Sequence, residues 1–435
     1  MKKFTDEIRK KVLVYDGSKG TMLQREGLKG GECAELWNIT HPDKVRKVYE
    51  SYKKAGSDVI QTNTFQGNRI ALEAHGLADK LYELNYEGVK LAKEVMGNDG
   101  YVAASIGPTG KLFEPSGDLT FKQAYEIYKE QVKAVIDGGA DIINFETFTD
   151  IAEIRAAFLA AKDIDDIPVI CSMAFESNGR TLMGTDPYNA AVILSSLGAD
   201  MVGVNCSLGP EHMLDIVKSM SQAGIPLSVK PNAGLPKVVD GCTVFDATPD
   251  DFASLASEYI KYGARLIGGC CGTFPEFITA IGAKISDTAV YKIEYKPRKV
   301  ISSSVKLLDL SACPYINLGY LYDLNRDELI NDNNSVNTDY ITDIALDLAS
   351  EGYDAVCIRL KEVRNVSLVL PEIVNIIQGY IKEPLIIDTD DYNALDAALK
   401  LYKGKAGIVV EGYDTNIMEK LLYVAGKYGS TIVSI

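Results

Sequence analysis

The stretch Gly268-Gly269-Cys270-Cys271-Gly272 sets two thiols side by side between glycines, directly after an apolar run. Neighbouring side chains of an extended chain point to opposite faces of a sheet, so these two serve one purpose only where the backbone leaves strand geometry. The flanking glycines permit that departure. A third thiol, Cys206, ends another apolar run as Asn205-Cys206-Ser207. Three converging thiolates suit Zn2+, a borderline-soft ion taking four ligands in a tetrahedron at about 2.3 Å from sulfur. Three protein ligands leave the fourth corner open, which is the pattern of a catalytic rather than a structural site. Two other readings stand beside this one: a redox dithiol at 270 and 271, and a small packing residue at 206.

A thiol substrate filling the open corner would be held as thiolate and kept nucleophilic by the excess negative charge, which favours alkyl transfer to sulfur. Glu146, in "NFETF", can pair with a substrate ammonium or sit in an ion pair at the barrel mouth. The turn "DGSKGT" offers backbone N–H groups to a carboxylate, and Asp16 at its start either contacts substrate or braces the turn. An amino acid carrying a thiol satisfies all of these contacts. Cys33, Cys171, Cys313 and Cys357 read as packing thiols, with Cys242 a minor rival ligand. The three histidines, His41, His75 and His212, fall in helical patterns or at helix starts, and nothing pairs them with a nucleophile.

What positions these residues is a run of eight apolar segments through the first 285 residues, beginning near Lys11, Ser57, Tyr101, Ala140, Ile167, Ala199, Ile225 and Ala264. Apolar almost throughout, they predict strands buried on both faces, as in parallel sheets covered by helices. Amphipathic segments such as "DKVRKVYESYKKAG" and "TPDDFASLASEYIKYG" lie between them, and "AGSD", "GGAD", "LGAD" and "YGAR" each end a helix with glycine before the next strand. Eight such units in a row predict a (β/α)8 barrel, whose chemistry sits at the C-terminal rim. Asp16, Asn63, Thr64, Glu146, Asn205, Cys206, Asn232, Cys270 and Cys271 all fall at those strand ends. Strands six and eight are next-but-one neighbours around such a barrel, so the three thiols can meet.

At 435 residues the chain is too long for one ordinary core and predicts two domains. A net charge of −15 opposes phosphate backbones and anionic membranes, which excludes nucleic acid as a partner. The charged start "MKKFTDEIRKKVLVYDG" lacks a signal peptide's apolar segment, and no apolar stretch is long enough to span a bilayer. A cytoplasmic location with reduced cysteines is the expectation.

The stretches "DGSKGT", "QTNTF", "NFETF", "GTDP", "GVNCSLGP", "KPNAG" and "GGCCGT" resemble, in order, the homocysteine S-methyltransferase family. The likeness is to the N-terminal module of cobalamin-dependent methionine synthase and to betaine- and S-methylmethionine-dependent relatives. The resemblance implies that Cys206, Cys270 and Cys271 bind zinc. It implies also that Glu146 with the Ser18 and Lys19 amides holds homocysteine, and that Asn232 lies beside the metal. Lys19 departs from the aromatic or apolar residue of many relatives. With no "DxHxxG" cobalamin loop in the chain, the implied donor is methylcobalamin on a separate corrinoid protein. S-methylmethionine or another small methyl-onium donor is the runner-up, and a non-enzymatic scaffold docking a corrinoid protein is the rival of another class.

The domains expected are a homocysteine-binding barrel over 1–288, a charged linker over 289–305, and a truncated pterin-binding-like domain over 306–435. The last resembles barely half of a pterin-binding barrel, with five parallel strands that predict an open α/β sheet. Asn317 in "YINLG" and Asp388 in "IIDTD" match folate ligands, whereas "CIRLK" lacks the expected Asp and Asn and "VVEGYD" lacks an Asn. These gaps count against folate.

Overall fold

A computed structural model of the chain describes residues 3–114, 116–234, 237–239, 242–293, 298–312, 315–321, 329–331, 335–360 and 365–435, with 237–239 and 242–244 as backbone. They form two compact units, Met1–Ala191 with Ala199–Tyr295, and Val192–Gly198 with Lys296–Ile435.

The first unit is built on eight parallel strands: β1 (Leu13–Val14), β2 (Val59–Gln61), β3 (Tyr101–Ile106), β4 (Ile142–Phe148), β5 (Val169–Met173), β6 (Met201–Asn205), β7 (Leu227–Lys230) and β8 (Ala264–Ile267). From β2 to β8, strands adjacent in sequence pair in space, and β8 pairs with β1 through Leu13↔Leu266 and Val14↔Ile267. A single parallel bridge from Tyr15 to Val59 links β1 to β2 and all but closes the ring. The expected barrel is therefore the fold. Every residue of β2, β3 and β5 to β8 is buried, which is why these runs carry no polar alternation. Phe4 and Ile8 of the N-terminal segment pack with the first residues of the strands, among them Leu13, Val59, Tyr101, Ile142 and Met201, and plug the end opposite the rim.

The helix-ending glycines predicted from sequence, Gly56, Gly139, Gly198 and Gly263, all have φ between 92° and 101°. The aspartate that follows three of them has a second task. Asp58, Asp141 and Asp200 accept the N–H of Val14, Val102 and Val169 on neighbouring strands at 2.8 to 2.9 Å, which fixes strand register. Side-chain caps start the covering helices: Thr120 forms a capping box with Gln123, and Thr248 caps Pro249–Ser254.

The second unit repeats the plan on a smaller scale. Its parallel strands β9 (Leu318–Leu321), β10 (Ala355–Arg359), β11 (Leu385–Asp388), β12 (Gly407–Val409) and β13 (Thr431–Val433) lie side by side in sequence order as an incomplete sheet. Asp354, after the left-handed Gly352, accepts the Asn317 N–H at 2.9 Å, the same register device as in the barrel. Val300–Ser302, inside the segment expected as linker, is a strand paired with Leu307–Asp309, because Val300 and Ile301 bury their side chains. Among the described residues no helix is long and apolar enough to cross a membrane.

Candidate metal centre and adjoining pocket

Cys206 follows β6 directly, and its N–H donates to Lys230 O of β7 at 3.1 Å. Cys206 and Ser207 then adopt φ of 62° and 57°, so the chain turns sharply out of the strand and delivers the thiol to the rim. After β8, the Cys270 N–H donates to Pro231 O at 2.8 Å and the Cys271 carbonyl accepts the Ala233 N–H at 2.9 Å. The Asn232 side chain accepts the Cys271 N–H at 3.1 Å, locking the cysteine pair to the loop after β7. Gly272 takes φ of 78°, and a Cβ there would strike the Phe245 ring. That turn is what lets two adjacent cysteines face one point.

The sulfur atoms of Cys206, Cys270 and Cys271 all lie within 4.8 Å of one another, and Cys206 Sγ is 3.8 Å from Cys271 Sγ. A tetrahedron with zinc–sulfur bonds of about 2.3 Å has edges of roughly 3.8 Å, so the donor set fits that ion. All three are partly exposed, whereas Cys33, Cys171 and Cys357 are buried. Hydrogen bonds from Cys270 and Cys271 hold the Cys206 thiol well below its ordinary range, and sharing protons with Cys206 pushes the other two up. A divalent cation held by the three would favour the thiolate form of all of them. The Asn205 Nδ2 donates to Thr147 Oγ1 at 2.8 Å and lies 3.8 Å from Cys270 Sγ. Cys242 has only its backbone described, and Cys313 lies outside the described residues.

Beside the thiols is a cavity of about 420 Å³ whose lining includes Lys19, Gln61, Ser105, Glu146 and the three cysteines. Glu146, near the end of β4, is held from several strands. Gln61 Nε2 donates to its Oε1 at 2.6 Å, Ser105 Oγ donates to the same oxygen, and Lys230 Nζ pairs with Oε2. Lys230 is 1% exposed and its ammonium sits 4.7 Å from the Tyr15 ring centroid. The chain reading did not single out Lys230, although a charged residue ending a strand buried on both faces was the available signal. Gln61 and Ser105 were missed as well.

Asp16 is fully buried and braces the turn: its Oδ2 accepts the Gln61 N–H at 2.9 Å and Lys19 Nζ at 3.0 Å. Burial pushes the Asp16 carboxyl up and the Lys19 ammonium down, each offset by the other's charge. The Ser18 N–H is taken by Thr273 Oγ1 at 3.2 Å, while Ser18 Oγ caps the helix Lys19–Arg25 through the Thr21 N–H. The amides of Lys19 and Gly20, at the first two helical positions, have no acceptor within the helix, and both residues line the cavity.

In the second unit, Asn317 precedes β9 whereas Asp388 ends β11. Through the register Leu318↔Ala355 and Arg359↔Asp388 they stand about five residues apart along the strands, roughly 16 Å. The two residues matched to folate ligands therefore stand at opposite ends of the strands. Asp388 spends one oxygen on Arg359 and the other on Tyr413.

A family model described as homocysteine S-methyltransferase matches residues 13–285. The chain belongs to that family. Methionine synthase from Mycobacterium tuberculosis is 34% identical over 303 residues, covering 65% of this chain and 25% of that protein, and the Mycobacterium leprae protein of the same name is 33% identical over 302. The chain thus spans about a quarter of the length of these curated relatives. Among solved structures, the metallated form of the homocysteine methyltransferase MmuM from Escherichia coli matches with a TM-score of 0.54 at 23% identity, covering 63% of this chain and 97% of that one. Its oxidised form matches at 0.53 and 24%, covering 63% and 96%.

This family member has the barrel and thiol triad of a homocysteine-methyltransferase-type enzyme. One expectation is corrected. The barrel was read as a module of cobalamin-dependent methionine synthase, receiving methylcobalamin from a corrinoid protein. The fold instead extends over almost the whole chain of a homocysteine methyltransferase, so a barrel of this kind is a complete enzyme fold by itself. All three metal-ligand candidates come from within it, just after β6 and β8. The cobalamin dependence, the methylcobalamin cofactor and the corrinoid partner are withdrawn.

Proposed function

We propose that this protein methylates the thiol of homocysteine to give methionine, using a small methyl-onium donor such as S-methylmethionine. The observation that carries this reading is the thiol triad, spaced as a tetrahedral edge, opening into a cavity that also contains Glu146. Zn2+ held by Cys206, Cys270 and Cys271 would supply a Lewis acid that keeps a substrate thiol deprotonated at neutral pH.

The remaining work falls to the chain's own residues. Glu146 receives the substrate ammonium through the side of its carboxylate that lines the cavity, while Gln61, Ser105 and Lys230 hold it in place. The amides of Lys19 and Gly20 face the carboxylate. The substrate sulfur then forms a bond to the methyl carbon as the donor's sulfonium bond to that carbon breaks, leaving a neutral thioether. The thiol proton leaves to solvent when the thiolate forms, and the exchange itself moves none, which agrees with the lack of a histidine in the cavity lining. Glu32 and Glu35 join Glu146 in that lining, with the Phe65 ring beside them, and an acidic wall with an aromatic face favours a positively charged donor. Residues 1–288 carry the reaction on this reading. The pterin-binding-like residues 306–435 are assigned no folate.

Zinc-loaded protein given homocysteine and S-methylmethionine should release methionine, and Cys206→Ala should abolish it. A docking scaffold would yield none in either case, and methionine formation untouched by Cys206→Ala would overturn the zinc-thiolate reading.

A further inference from the structure

Among the described residues, Lys19 is the one basic residue lining the cavity, whose other charged side chains are Glu32, Glu35 and Glu146, beside the three cysteines. A carboxylate entering there meets charge of opposite sign at this ammonium and charge of its own sign at the three glutamates. The Lys19 side chain is 12% exposed. Of its three N–H donors, two are satisfied at 3.0 Å by Asp16 Oδ2 and Gln61 Oε1, whereas the third reaches Gly17 O only at 3.5 Å. That long bond is the one a ligand oxygen can replace.

The position of that donor relative to Glu146 is set by a single side chain. Gln61 accepts from Lys19 through its oxygen and donates to Glu146 through its nitrogen, so one carboxamide separates the cation from the anion. The carboxylate oxygen and the ammonium of an α-amino acid, set apart by one more atom than the oxygen and nitrogen of a carboxamide, can bridge the same two groups. We propose that the Lys19 side chain recognises the substrate carboxylate and that Lys19 and Glu146, spaced by Gln61, form a clamp selecting thiols that carry an α-amino-acid head. This inference rests on the homocysteine reading above. Asp16 has a supporting part, since its carboxylate anchors Lys19 in the clamp without lining the cavity.

The test compares homocysteine with homocysteine amide, which keeps the ammonium and lacks the anionic carboxylate. Calorimetric binding to zinc-loaded protein and steady-state methylation from S-methylmethionine are measured for both. Lys19→Met should raise the homocysteine KM about tenfold, as befits loss of a charge-assisted contact, with kcat within about twofold. Its KM for the amide should not change, so discrimination between the two collapses. Lys19→Arg should keep most of it. Because Lys19→Met strips Asp16 of its counter-charge, the double variant Lys19→Met/Asp16→Asn is measured as well and should lose the same discrimination while melting like wild type. An unchanged preference for homocysteine in zinc-bearing variants would overturn the clamp. If wild-type protein neither binds nor methylates homocysteine, it is the underlying reading that fails.

Discussion

Replacing Lys230 with methionine leaves Glu146, 6% exposed, without its cation. Breaking a buried ion pair from one side costs about 3 to 5 kcal/mol, because a charge is left uncompensated out of water. Gln61 and Ser105 still donate to the carboxylate, so the lower end, about 3 kcal/mol, is expected here. At 2 to 4 °C per kcal/mol for a domain of roughly this size, the barrel's melting temperature should fall by about 6 to 12 °C. Trp37, the chain's one tryptophan, is buried in the barrel unit, so its fluorescence follows that unit's transition. The assay is a double-mutant cycle on zinc-loaded protein with Lys230→Met, Glu146→Gln and the pair together. The pair should recover most of the loss, with a coupling of at least about 2 kcal/mol. A Lys230→Met protein melting with wild type, or a double variant as unstable as the summed singles, would refute the view that Lys230 is there to balance Glu146.

Three further outcomes follow from the metal centre. Chelator-stripped protein should expose three more rapidly alkylated thiols than zinc-loaded protein, identified by peptide mapping as Cys206, Cys270 and Cys271. Burial pushes Cys33 up to about 11 and Cys357 up to about 12, and it pushes Cys171 up as well, so these three should react in neither form. Gly272→Ala should lower zinc stoichiometry in a metal-content assay, since the left-handed turn and the Phe245 ring both oppose a Cβ. Asn205→Ala should weaken zinc affinity about 10- to 100-fold in a chelator competition, as loss of a residue supporting metal ligands does.

The barrel was legible because its signals are local. Apolar runs of strand length recur eight times, four of them preceded by a helix-ending glycine and three of those by an aspartate as well, and each signal is visible within about ten residues. The thiol triad was legible for a related reason: residues at the ends of strands six and eight must share one rim once strand order is sequential. What could not be read is the wiring between strands. Glu146 lies 84 residues from Lys230 and 85 from Gln61, and nothing near any of them in sequence names the others. The turn at Ser18 was read as two free amides, yet Thr273 takes one of them from 255 residues away. Asn317 and Asp388 look alike as polar residues beside strands. Only the register places one at the start of its strand and the other at the end.

The decisive measurement is zinc K-edge X-ray absorption on purified protein before and after adding homocysteine. Three sulfur neighbours at about 2.3 Å with one lighter ligand should become four sulfurs when homocysteine binds. Protein that binds no zinc, or a sulfur count that homocysteine leaves unchanged, would contradict a thiol-activating centre at Cys206, Cys270 and Cys271.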